Sequence, residues 1–128
     1  MWREVTIIIV ILVLLFVGNY LTQSNTTKSV EIMTQELQSL KEDMMEHQNK
    51  QQIEKKMEES MDKWHKIDET MAYYIEHDEL EKVETGLTGL KASLAVEDYE
   101  AGVVELEKAI YLLEHIKEKQ VFSFINIF

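Results

Sequence analysis

Apolar and polar positions separate sharply near the start of the chain. Val5 to Val17 is apolar except for Thr6, and Gly18, Asn19, Tyr20 and Leu21 close the run. Core helices and strands of water-soluble domains carry polar residues on one face, and this run has no such face. It predicts a helix in lipid. Val5 to Leu21 is close to the minimum of about 17 residues that crosses a hydrocarbon core. Trp2 and Tyr20 bracket it and suit the two interfaces, where amphipathic rings settle. Arg3 and the amino terminus give residues 1–4 a positive bias, diluted by Glu4. The expectation is a cytoplasmic tail at 1–4, an anchor at 5–21 and a translocated carboxyl-terminal domain. The alternative is a secreted helical protein after signal cleavage, since Ile7 to Val17 has the length of a signal-peptide core. No Ala-x-Ala-type pair follows, only Thr22, Gln23 and Ser24, which favours the uncleaved anchor.

Beyond Leu21 the pattern becomes helical. Residues 22–28 read as a polar linker containing the sequon Asn25-Thr26-Thr27, and Ser29 offers an N-cap. Val30, Met33, Leu37, Leu40 and Met44 then alternate at spacings of three and four, a heptad seam. The seam fails at His47, Gln51 and Glu54. It resumes in a shifted phase with Met57, Met61, Trp64, Asp68, Met71 and Ile75. The polar stretch Glu46 to Lys56 reads as a kink, a stutter or a solvated helix. Asp78 and Glu81 have capping-box spacing for a new helix with the stripe Leu80, Val83, Leu87, Leu90 and Leu94. Val96 to Asp98 is a turn, with Asp98 capping a last helix to about Lys119. Its inward positions are Tyr99, Val103, Leu106, Ile110, Leu113 and Ile116.

Lengths shape the expected architecture. A single helix from Ser29 to Glu76 would be about 72 Å long, against about 26 and 33 Å for the later two. The reading is therefore all-α: an N-terminal transmembrane helix, a helical stalk at 29–52, a three-helix antiparallel bundle at 53–119, and an apolar tail at 120–128. The stalk seam needs a partner, and the sequence leaves open a homodimeric coiled coil, a groove on another membrane protein, or the chain's own bundle. The tail, Val121 to Phe128, either plugs the membrane-distal end of the bundle or docks a partner by strand addition. Contact candidates are Val30, Met33, Leu37, Leu40, Met44, Phe124, Ile127 and Phe128.

Charge narrows the partners. The chain has 24 acidic and 13 basic residues, a net of −11, and Ser29 to Phe128, with 23 acidic and 11 basic residues, is alone at −12. Such a surface repels phosphate backbones, so no nucleic acid is expected. The absence of cysteine removes disulfides, thiolate ligands and a lipidated cysteine anchor.

Candidate chemistry is sparse. His77, Asp78 and Glu79 form the cluster most like an acid–base site, but capping explains all three without a cleft. Met57, Met61 and His65 have spacing that could hold Cu(I), yet the same methionines fit the bundle seam. His47, His65 and His115 read as solvent-facing. A small-ligand sensor would line a cavity with Trp64, Met71, Tyr74 and Leu87. No hydrolase triad, phosphate loop or His-Glu-x-x-His occurs, so no enzyme, catalytic residue, cofactor or metal is expected. Trp64, His77, Asp78 and Glu79 are read as structural boundary residues.

The anchor, Trp64, the string Tyr74-Ile75-Glu76-His77-Asp78-Glu79-Leu80, the helical hairpin and the closing Asn126-Ile127-Phe128 together resemble the DUF4363 family of Gram-positive bacteria. That resemblance implies an extracytoplasmic helical domain on a cell membrane, associated with a DUF421-type (YetF-like) polytopic protein, and supplies no catalytic residues. Asp98 to Ile110 is also similar to the second helix of a tetratricopeptide repeat, where small residues at Gly102 and Ala109 permit close packing. The functional expectation is a single-pass accessory or interaction partner of a polytopic membrane protein.

Overall fold

The computed structural model describes residues 1–127, with side chains through Phe122. Four helices follow one another: α1 (Trp2–Met45), α2 (Lys50–Met71), α3 (His77–Ala95) and α4 (Tyr99–Ile127). The all-helical expectation holds.

Residues 22–28 are not a linker. α1 passes through them unbroken, and Ser29 is interior rather than an N-cap. The reason is local. No proline exists and no glycine follows Gly18 until Gly86, so nothing forces the backbone out of the helix. Hydroxyls that would compete in a loop bond backward along the helix instead. Thr22 Oγ1 donates to the Asn19 carbonyl at 3.0 Å and Thr26 Oγ1 to the Thr22 carbonyl at 2.9 Å.

The break falls inside the segment read as a stalk. After Met45 the Gln48 N–H bonds the Asp43 carbonyl at 3.0 Å and the His47 N–H bonds the Met44 carbonyl at 3.3 Å. His47 sits at φ 53°. This is a Schellman closure with histidine where glycine is usual. Asn49 then caps α2, its Oδ1 accepting from the Gln51 N–H at 2.8 Å. The α3–α4 turn repeats the device: Asp98 N–H to Ser93 O at 2.9 Å, Glu97 N–H to Leu94 O at 3.1 Å, and Glu97 at φ 56°. Asp98 caps α4 as expected, accepting from the Ala101 N–H at 3.1 Å. α3 starts earlier than its sequence suggests, with Glu76 as N-cap and Asp78 inside the first turn. The Asp78–Glu81 capping box is replaced by an Asp78–Lys82 pair at 3.6 Å.

These turns create a fourth bundle helix. Among the described residues each helix packs on its chain neighbours and α4 closes back on α1, an up-down-up-down ring in which diagonal helices make no close backbone approach. Val30, Met33, Leu37, Leu40 and Met44 are fully buried in it. The seam is therefore satisfied by the chain's own α2 and α4, and the bundle has four helices where three plus a stalk were expected. Lys41–Glu107 at 2.6 Å and Lys56–Asp43 at 2.6 Å flank that seam, and Lys63–Glu36 continues the second row.

Two turns share one end. Lys50 Nζ lies 3.7 Å from Glu97 Oε1, and the His47 and Tyr99 rings are 6.1 Å apart. The α2–α3 turn marks the other end, where Tyr74 meets Asn25 and Thr26 of α1. α4 runs toward that second end and continues to Ile127 instead of stopping near Lys119. Its tail thus lies at the end where α1 carries the apolar run, opposite to the end that a three-helix count implied.

Candidate membrane and contact surfaces

Exposed apolar surface lies chiefly in two places. The first is the beginning of α1. Its apolar side chains from Val5 to Val17 are exposed all around the helix, and Tyr20 and Leu21 continue the run. This helix is long and apolar enough to cross a membrane. In water its surface would be a continuous apolar band, unlike the buried core helix of a soluble domain.

A polar collar marks where that segment joins the bundle. Asn25 Nδ2 donates to Tyr74 Oη at 2.7 Å, and the Tyr74 hydroxyl donates in turn to Thr26 Oγ1 at 3.1 Å. On the neighbouring helices Lys119 Nζ bonds Glu79 Oε1 at 2.7 Å and pairs with Glu76 at 3.5 Å. The hydrogen bond to Glu79, partly opposed by desolvation and assisted by the attraction of both carboxylates, raises the Lys119 ammonium above its ordinary range.

The second surface was not foreseen from the sequence. On the outside of α4, Val104 is 53% and Tyr111 72% exposed, and with Val103 and Leu112 they line an open apolar groove edged by Glu107 and Lys108. Val103 also belongs to the adjoining depression formed by Met44, Met45, His47, Tyr99 and Glu100. The two make one strip from the α1–α2 turn along α4. Its sequence signal is the pair of doublets Val103-Val104 and Tyr111-Leu112. A helix turns about 100° per residue, so two adjacent apolar residues cannot both point to one core stripe.

The sequence-predicted contact residues fare differently. Val30, Met33, Leu37, Leu40 and Met44 are core, which removes them as surface candidates: α2 and α4 supply the apolar neighbours that an outside partner was expected to bring. Phe124, Ile127 and Phe128 lie outside the residues whose side chains are described. Trp64 is not at a boundary. It is wholly buried mid-way along α2, since its spacing from Met57 and Met71 puts it on the seam. His77, Asp78 and Glu79 do sit at a helix start, and the His77 side chain is 92% exposed, 3.9 Å from Glu81.

The other constellations disperse. Met57 points into the core while His65 faces Glu84 across the surface at 3.2 Å. Trp64, Met71 and Leu87 fill the interior, and Tyr74 is engaged by α1. Among the described residues no three histidine or carboxylate groups converge to hold a metal. Thr34 Oγ1, Ser60 Oγ and Trp64 Nε1 are buried without a hydrogen-bond partner. Ser60 and Trp64 stand one turn apart on α2.

The family described as a domain of unknown function (DUF4363) matches residues 20–127, the whole bundle together with the end of the apolar run. No curated protein and no solved structure matches.

Proposed function

The chain belongs to the DUF4363 family, and we propose that it is a single-pass membrane protein whose bundle stands outside the cytoplasm and serves as a non-catalytic accessory partner of a polytopic membrane protein. One observation carries this reading: a helix whose apolar side chains are largely exposed continues, without a joint, into a bundle whose interior is filled by its own side chains. Such an object offers a tether and an outer surface. Arg3 and the amino terminus favour a cytoplasmic start. Confinement to the membrane plane raises the effective concentration of the bundle for a membrane neighbour. The α4 strip around Val104 and Tyr111 is the contact surface in this reading, replacing the buried seam.

Because the chain lacks cysteine, single introduced thiols report cleanly. A membrane-impermeant maleimide should label Val96→Cys in intact cells, and labelling only after lysis would refute the orientation. A photo-crosslinking residue at Tyr111 should capture one polytopic protein in native membranes, of the DUF421 type that the family resemblance implies. Capture of nothing, or of the same products from a site on α2 such as Glu58, would remove the accessory role.

A further inference from the structure

α4 is longer than the bundle it closes. Its residues Ile116, Lys119 and Gln120 lie level with the α2–α3 turn, where they share a recess with Tyr74, Ile75, Glu76 and Glu79. Tyr74 is in turn bonded to Asn25 and Thr26, so this level marks the lower edge of the bundle on every helix. Beyond Gln120 the helix continues to Ile127, a projection of about 10 Å at 1.5 Å per residue. It runs antiparallel to α1, with Val121 and Phe122 beside Thr27. The same rise takes α1 from Asn25 back to about Gly18, the edge of its apolar run. The projecting end of α4 and the exit of α1 therefore occupy one level.

Charge and cover change at that level. No charged side chain follows Lys119, and Val121 to Phe128 carries only Ser123 and Asn126 as polar residues. Phe122 is 64% exposed. On α1, Asn19, Thr22 and Gln23 are partly covered and extend the buried stripe of Thr26 and Val30 downward, so the two helices stay together below the bundle.

We infer that the carboxyl-terminal end of α4 enters the headgroup and upper acyl zone of the same bilayer that α1 crosses, giving the protein a second, non-spanning contact with lipid. This rests on reading Val5–Leu21 as a membrane span. Lipid is the occupant because the end is apolar, free of charged side chains, and held by topology against the helix that enters the bilayer. An apolar helical end about 10 Å long reaches the headgroup and acyl boundary, the zone of about 5–10 Å in which interfacial helices bury their apolar faces.

The test uses the full chain in phosphatidylcholine vesicles, with an environment-sensitive fluorophore on a single cysteine at Leu12, Phe122, Asn126 or Val96, and quenchers either attached to lipid at set depths or dissolved in water. Asn126→Cys removes no apolar side chain, so its result does not depend on weakening the contact. The label at Asn126 should lose most of its emission to shallow lipid quenchers, that at Phe122 less, and that at Val96 only to aqueous iodide. Iodide quenching at Asn126, or shielding there from both quenchers, with Leu12 still quenched by deep lipid labels, overturns the second contact and leaves the anchor standing. A Leu12 label that escapes lipid quenchers overturns both.

Discussion

Two residues hold left-handed backbone at the distal turns without being glycine. Glu97 at φ 56° and His47 at φ 53° each carry a Cβ where the closure favours none. Glu97→Gly should therefore stabilise the full chain by about 1 kcal/mol in denaturant unfolding, the weak exposed pair with Lys50 being a minor loss. Glycines within the helices make the opposite point. A Cβ on Gly102 would meet Met44 Cε at 2.7 Å, and Leu90 and Leu94 stand close behind, so Gly102→Val should cost about 1–3 kcal/mol by overpacking. A Cβ on Gly86 would reach only ordinary contact with Ala109 at 3.8 Å, so Gly86→Ala should gain about 0.5–1 kcal/mol from helix propensity. Lys119 adds a pH dependence. Its value is raised in the folded state, so its contribution is complete below the ordinary lysine value near 10.5 and fades as pH climbs through the higher folded value. The stability difference between the wild type and Lys119→Gln should shrink in that alkaline window, measured by thermal melts at stepped pH.

At the level of elements, the seam of α1 decides between packing within one chain and packing between two. Leu37→Ala should cost about 2–5 kcal/mol, and the unfolding midpoint of wild type and variant should not move with protein concentration. A midpoint that climbs with concentration would restore the coiled-coil dimer. The stripes of α2, α3 and α4 were legible because each repeats at helical spacing, and the α3–α4 turn was legible through Asp98. The α1–α2 break was not. Its left-handed position is a histidine, its one honest signal is Asn49 followed by Gln52 at capping-box spacing, and the surrounding charges look like any solvated helix. Missing that break made one helix of two and turned a bundle helix into a stalk. The same miscount reversed the direction of α4 and sent its apolar end to the wrong side. The linker at 22–28 failed for another reason: threonine and asparagine favour turns only when their side chains have no better partner, and here the helix backbone and Tyr74 provide one. Of the exposed strip on α4, only the apolar doublets were visible beforehand, since which member of a doublet faces outward depends on where α1 and α3 lie.

For the molecule as a whole, the unbroken passage of α1 from Val5 to Met45 matters most. In the proposed membrane-anchored arrangement, a flexible leash would let the domain spin and nod above the lipid, whereas a rigid spindle fixes its heading: whatever azimuth the anchor takes up, the Tyr111 side inherits. One alanine added between Val17 and Gly18 advances the helix by about 100°. It should leave the melting temperature nearly unchanged while abolishing crosslinks from Tyr111, and four glycines at the same place should scatter them over many products. On the proposed reading of α1 as an anchor, the compass bearing of the Tyr111 face is thus set inside the bilayer, by the count of residues between the anchor and the bundle.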